Sequence, residues 1–148
     1  MIAVLQRVKS ASVTVDEKIV GRINHGFLIL LGVSKDDTES DAQFLSDKIS
    51  TFRIFPDDKK NMNLSIYDVK GSILVVSQFT LCGDWRKGRR PSFSTSAPPK
   101  MAESLYEKFC EMLTEKNIPV QRGQFAAMMD VELVNDGPVT FVMDSKEK

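Results

Sequence analysis

Seven consecutive residues, Phe27-Leu28-Ile29-Leu30-Leu31-Gly32-Val33, carry no polar side chain. The run is far too short to cross a bilayer, which takes about 20 apolar residues in a helix. Read as a strand it has no wet face, so it belongs inside a sheet covered on both sides. The rest of the chain must then supply neighbouring strands and the layers that cover them.

Candidates for both are present. Ile2–Val8 alternates, and Ser12–Val15 and Lys18–Ile23 flank a turn at Asp16-Glu17. Thr38 reads as an N-cap with Asp41 three residues on, and Ala42, Leu45, Ile49 and Phe52 follow at helical spacing, which predicts a helix over about 38–51. Phe52–Phe55 reads as a short strand stopped by Pro56-Asp57-Asp58, and Ser65–Val69 and Ser72–Gln78 as two more. Leu81 to Pro99 is a loop rich in Gly, Ser, Pro and basic residues. A second helix starts from Pro98-Pro99 and carries Ala102, Leu105, Tyr106, Phe109, Met112 and Leu113. The tail returns to strands at about 119–123, 127–134 and 139–143, the last two joined by Asn135-Asp136-Gly137-Pro138. The sum is a single α+β domain over residues 1–148, of mostly antiparallel strands in a sheet or barrel-like arrangement with two packed helices.

Charge and composition narrow the chemistry. Twenty Lys and Arg offset twenty Asp and Glu, so no global positive field draws the chain to nucleic acid; any such binding must come from a local patch. DNA and membranes are not expected as partners. The one histidine, His25, excludes multi-histidine metal sites and reads as a surface residue at a turn. Cys82 and Cys110 form no Cys-x-x-Cys pair, which argues against zinc and for two reduced thiols. Met1 to Arg7 lacks the basic-then-apolar order of a signal peptide, so a cytosolic location is expected. No metal or cofactor is expected.

Five segments can carry chemistry, each with a plainer alternative. Ser77-Gln78-Phe79-Thr80-Leu81 ends a buried strand and opens a loop, where rigid backbone meets solvent; equally it is a strand end with satisfied hydroxyls. In Asn135-Asp136-Gly137-Pro138-Val139-Thr140 the proline does not fit a plain two-residue turn, and the residues by themselves favour an ordinary loop with a trans peptide. Trp85-Arg86-Lys87-Gly88-Arg89-Arg90-Pro91-Ser92-Phe93 sets four cations between aromatics, a composition suited to phosphates and stacked bases or to a solvated basic loop. Arg7 shares a strand face with Ala3 and Leu5, so its half-buried guanidinium needs acceptors, an ordinary ion pair among them. Gly123 to Asp130 holds Phe125, Met128 and Met129 among small residues and suits an apolar or base-binding pocket, or core packing.

Together these segments resemble the D-aminoacyl-tRNA deacylases, over essentially the whole chain. The anchors are Ala3-Val4-Leu5-Gln6-Arg7-Val8, Ser77 to Leu81, Gly88 to Phe93 and Asn135 to Thr140, in the family's order. The resemblance implies hydrolysis of D-aminoacyl-tRNA, and of glycine mischarged on a non-cognate tRNA, by a homodimer with active sites at its interface. It implies that the Gly137-Pro138 bond is cis and that this motif enters the partner's site as a chiral filter, held by Arg7. It further implies that Ser77, Gln78, Phe79 and Thr80 line the substrate pocket, with Phe79 contributing backbone. Phe125 and Met129 would hold the terminal adenosine. Separately, the basic loop leads to the expectation that Arg86, Lys87, Arg89 and Arg90 meet the tRNA phosphates. Thr80 is either an acyl nucleophile or a bystander to chemistry done by backbone and RNA. The absence of an adjacent general base favours the second. A non-catalytic RNA-binding module, an editing domain for an L-amino acid product and a small-molecule esterase are the competing readings.

Overall fold

A computed structural model describes residues 1–147. The order of elements is β1 (Ile2–Val15), β2 (Lys18–Ile23), β3 (Gly26–Gly32), α1 (Glu39–Thr51), β4 (Phe55–Pro56), β5 (Met62–Leu64), β6 (Ser72–Ser77), a 3₁₀ turn (Phe79–Cys82), α2 (Pro99–Glu115), β7 (Val120–Arg122) and β8 (Asp130–Asp144). One edge of β1 pairs with β8; the other is divided between β3 along Ile2–Val8 and β2 along Ala11–Val15. These pairings are antiparallel, whereas β3–β6 and β6–β7 are parallel. The parallel pairs arise because α1 lies between β3 and β6 in the chain and α2 between β6 and β7, and a crossover of that kind returns the strand in the same direction.

The apolar run behaves as its composition requires. Phe27, Ile29 and Leu31 of β3, with Ile73 and Val75 of β6, face a core shared with both helices. Leu28 of β3 and Leu74 and Val76 of β6 face the opposite way, into a second core with Val8, Ala11, Val13, Val15 and Ile23. Strand alternation thus splits one continuous apolar segment between two cores. The second core is the inside of a nearly closed barrel, and Gly21 on β2 shows how near the closure is. A Cβ there would lie 2.6 Å from the Arg122 carbonyl oxygen of β7 and 3.0 Å from Leu74 Cδ1. Gly21→Ala is therefore expected to destabilise the fold by about 1–3 kcal/mol, because the obstacle is backbone. A fall of several degrees in thermal midpoint would be the sign of it.

Capping explains both helix starts. The Asp41 carboxylate accepts from the Thr38 N–H at 2.8 Å, and α2 begins at Pro99, where a missing N–H costs no hydrogen bond. Asp41 also receives the Ser145 hydroxyl at 2.8 Å and the Lys146 ammonium at 3.0 Å, tying the end of β8 to α1. Burial would raise that carboxyl, but these donors hold it well below the usual carboxylate range.

Several expected boundaries move. β1 runs unbroken through Val8–Ser12, since β8 pairs along nearly its whole length. Phe52 caps α1, and the short strand is Phe55–Pro56. Ser65–Val69 is a turn, because Asp68 accepts from both the N–H and the hydroxyl of Ser65 at 2.7 Å. The two strands expected at 127–134 and 139–143 are one strand, β8, interrupted by a bulge. His25 is half-buried, with its ring tilted on Phe55 at 4.9 Å, because β3 starts beside it and draws it onto the core. Cys82 and Cys110 are both free and buried. Among the described residues, no helix is long and apolar enough to cross a membrane.

Candidate active site

β6 ends at Ser77, and the chain there turns sharply. The Gln78 N–H still donates to the Leu31 carbonyl at 2.8 Å, holding the turn on the end of β3. Phe79–Cys82 then forms a single 3₁₀ turn, closed by Leu81 N–H to the Gln78 carbonyl at 3.3 Å. A helical turn leaves its first N–H groups without internal acceptors. Among the described residues, the backbone N–H groups of Phe79 and Thr80 have none elsewhere. The Thr80 hydroxyl accepts from the Gln78 side-chain amide at 3.0 Å.

This turn forms one wall of a cavity of about 470 Å³, within the range of small-ligand sites. Ser77, Gln78, Phe79 and Thr80 meet Phe125 and Met129 across it, so six residues from two distant segments converge on one cavity. The opposite wall is a turn from Gly123 to Met129. Gly123 N–H donates to the Val75 carbonyl at 2.9 Å, Ala127 N–H to Gln124 at 3.2 Å, and Ala126 sits at φ +60°. A Cβ on Gly123 would come within 2.8 Å of Met129 Sδ, so the close approach of that thioether depends on glycine.

The floor comes from α2, and the sequence reading missed it. Tyr106 lines the cavity, its hydroxyl donating to the Val75 carbonyl at 2.9 Å and its ring tilted on Phe125 at 5.9 Å. The only available signal was one hydroxyl within an otherwise apolar helical stripe. Burial raises the Tyr106 phenol far above its ordinary range, and burial also pushes the Cys110 thiol on the next turn up to about 12. Among the residues lining the cavity Tyr106 alone can ionise, and it stays protonated at neutral pH. The cavity therefore offers hydrogen-bond donors, hydroxyls and apolar walls, but no side-chain base.

Arg7, Gly137 and Pro138 form a separate cluster and line no part of that cavity in the same chain. Gln6 pairs with Thr140 and Val8 with Asn135, so the intervening part of β8 is pushed out over Arg7 as a bulge. Arg7 is 8% exposed; its Nε donates to the Asp136 carbonyl at 2.8 Å and its Nη1 to the Ile54 carbonyl. It is more deeply buried than alternation suggests, because the bulge covers it. Asn135 closes the neck of the bulge, accepting from Val139 N–H at 2.7 Å and donating to the Thr140 hydroxyl at 3.0 Å. The Gly137-Pro138 peptide is cis, against the trans form that the residues alone favour and in line with the resemblance. Both residues are exposed.

The basic segment is a small hairpin closed by Asp84 and Ser92, whose N–H groups donate to each other's carbonyls at 2.8 and 2.9 Å. Lys87, Arg89 and Arg90 are exposed, and Arg86 is turned back onto Asp84 at 2.8 Å.

Comparison with known proteins finds relatives over nearly the whole chain. The chain is 59% identical over 148 residues to the D-aminoacyl-tRNA deacylase of Thermosipho melanesiensis, covering 99% of each. It is 58% identical over 144 residues to that of an Exiguobacterium species, covering 97% of this chain and 98% of that protein. A solved structure of a c-Myc DNA unwinding element binding protein superposes with a TM-score of 0.92 at 39% identity, over 97% of this chain and 98% of that one. The family model described as D-Tyr-tRNA(Tyr) deacylase matches residues 4–144, a span that takes in Arg7, the cavity turn, the basic hairpin and the Gly137-Pro138 bulge alike. On that match, and on identity sustained along nearly its full length, the chain belongs to the D-Tyr-tRNA(Tyr) deacylase family.

Proposed function

We propose that this chain, a single domain, is a hydrolase that cleaves the ester bond of D-aminoacyl-tRNA, releasing the amino acid and the tRNA. The observation that carries the reading is the cavity turn: two free backbone N–H donors beside a pocket whose one ionisable group is kept protonated. An aminoacyl ester is already activated. Its hydrolysis needs a placed water and a stabilised oxyanion more than a strong base, and the ribose 2′-OH can assist. The N–H groups of Phe79 and Thr80 would take the oxyanion, and by analogy with measured cases a donor in that role is worth about 2.7–4 kcal/mol. A Thr80 hydroxyl that already accepts from Gln78 and has no base among the described residues lining the cavity is a poor nucleophile.

Around that centre, Ser77, Gln78, Phe125 and Met129 hold the terminal adenosine and the aminoacyl group. The Gly137-Pro138 carbonyls form a wall that shuts out an L side chain and passes a D side chain or glycine, so glycine on a non-cognate tRNA is a second substrate. Arg7 holds that wall through Asp136. Since Gly137 and Pro138 are exposed and lie apart from the cavity of their own chain, the motif serves the site of a second copy in a homodimer. Exposed Val134 and Val142 on the same strand as the bulge suit that association. The enzyme works in the cytoplasm, without metal or cofactor and without DNA as a partner.

Matched D- and L-tyrosyl-tRNA, with glycyl-tRNA on a non-cognate tRNA alongside, test the reading. Loss of the D and glycyl esters with survival of the L ester is expected. Equal loss of D and L would keep the esterase and discard the filter. No loss of any ester would leave a non-catalytic RNA-binding module. Among the described residues Lys87 forms no ion pair, and neither do Arg89 and Arg90, two arginines that, unlike Arg86, are free for phosphate. Replacing both with glutamine is expected to weaken tRNA binding and to lower its log–log salt slope by roughly two. An unchanged slope would assign the hairpin to another role.

A further inference from the structure

Trp85 is the single tryptophan of the chain, and it stands 80% exposed on the hairpin closed by Asp84 and Ser92. Among the described residues it has no ring partner. The base of the hairpin is joined to the cavity turn. Gly83 N–H donates to the Thr80 carbonyl at 3.0 Å, and a Cβ on Gly83 would lie 3.0 Å from the Phe93 ring. Phe93 in turn meets Phe79 edge-on at 4.9 Å. Phe79 is 57% exposed and Met128, on the far wall of the cavity, 92%. Apolar surface therefore lines the mouth, and a bare indole set beside cations stands on a hairpin attached to that mouth.

A duplex stem offers phosphates but keeps its bases stacked inside. Unpaired nucleotides offer phosphates and bare bases together, and bases stack on exposed aromatic side chains. We infer that the mouth and the hairpin form a track for the single-stranded 3′ end of RNA, with Trp85 as the platform on which an unpaired base stacks. This rests on the deacylase reading for the identity of the RNA, and it makes the overhang, rather than the duplex stem, what Trp85 contacts.

The indole is its own reporter. Two uncharged RNAs would be titrated into the protein, a short stem with a four-nucleotide 3′ overhang and the same stem blunt-ended, following Trp85 emission and the anisotropy of a label on the RNA. The overhang RNA is expected to bind and quench Trp85, and the blunt stem to leave the emission unchanged. Trp85→Ala is expected to weaken overhang binding roughly tenfold, and Trp85→Phe to retain most of it. Binding without a change in emission, equal quenching by the blunt stem, or undiminished binding by Trp85→Ala would each overturn the track. Deacylation of D-tyrosyl-tRNA, measured separately, keeps the two ideas apart. Activity with unresponsive Trp85 emission discards the track alone, and quenching without activity keeps the track while discarding the hydrolase.

Discussion

Replacing Gly137 with alanine is expected to cut the rate on D-tyrosyl-tRNA by about a hundredfold and to erode the preference for D over L by tenfold or more. The residue sits at φ +148°, a conformation L side chains rarely adopt. A Cβ there would lie 2.6 Å from Val139 Cγ2, 2.9 Å from Val139 N and 3.2 Å from Arg7 Nη2. One of these is backbone held by Asn135, and another is the cation that holds Asp136. The bulge must shift, and a wall that works by steric exclusion fails when displaced by a fraction of an ångström; misplacements near 1 Å commonly cost about a hundredfold in rate. Single-turnover deacylation of paired D and L esters checks this. A variant that folds normally and keeps the full D-to-L ratio would place the filter elsewhere.

The second large effect belongs to an N–H group. Exchanging the Thr80 residue for its α-hydroxy acid analogue swaps one backbone N–H for an ester oxygen and leaves the side chain in place. The rate is expected to fall about a hundredfold to a thousandfold, the loss seen when an oxyanion donor is removed. Thr80→Ala keeps the N–H and is expected to lose less than tenfold. The reverse pattern, with Thr80→Ala losing about a thousandfold and the ester analogue nearly intact, would make the hydroxyl the nucleophile. Neither change disturbs a buried contact, since Thr80 is exposed and its hydroxyl pairs only with Gln78 among the described residues.

Much of this site was legible in the chain because its parts are local. The strand end at Ser77 announced itself by an apolar run giving way to polar residues and glycine. Arg7 was marked by its place on the apolar face of an alternating strand, which demanded acceptors, though not that they would be the carbonyls of Ile54 and Asp136. Tyr106 was legible only as one more member of a helical stripe, because its role as cavity floor depends on the Val75 carbonyl and on Phe125, both remote in sequence. Ser65–Val69 was misread because Ile66, Tyr67 and Val69 are residue types that favour strands, while the hydrogen bonds of Asp68 make a turn. The last strand was divided in two because Gly137-Pro138 reads locally as a break, whereas pairing with β1 on both sides carries the strand past it.

Short-range chemistry is written in order along the chain, so the sequence by itself determined the α+β class, two helices with their caps, a strand that had to be covered on both faces, and the residue types available for a site with no more than one histidine. Tertiary structure decided which apolar residues entered which of the two cores, the parallel pairing of β3, β6 and β7, the cavity walls brought together from Ser77–Thr80 and Phe125–Met129, and the separation of Gly137-Pro138 from that cavity. Propensity and capping act over a few residues, whereas sheet register and cavity shape depend on contacts between residues far apart in the chain, whose pairing no local pattern specifies.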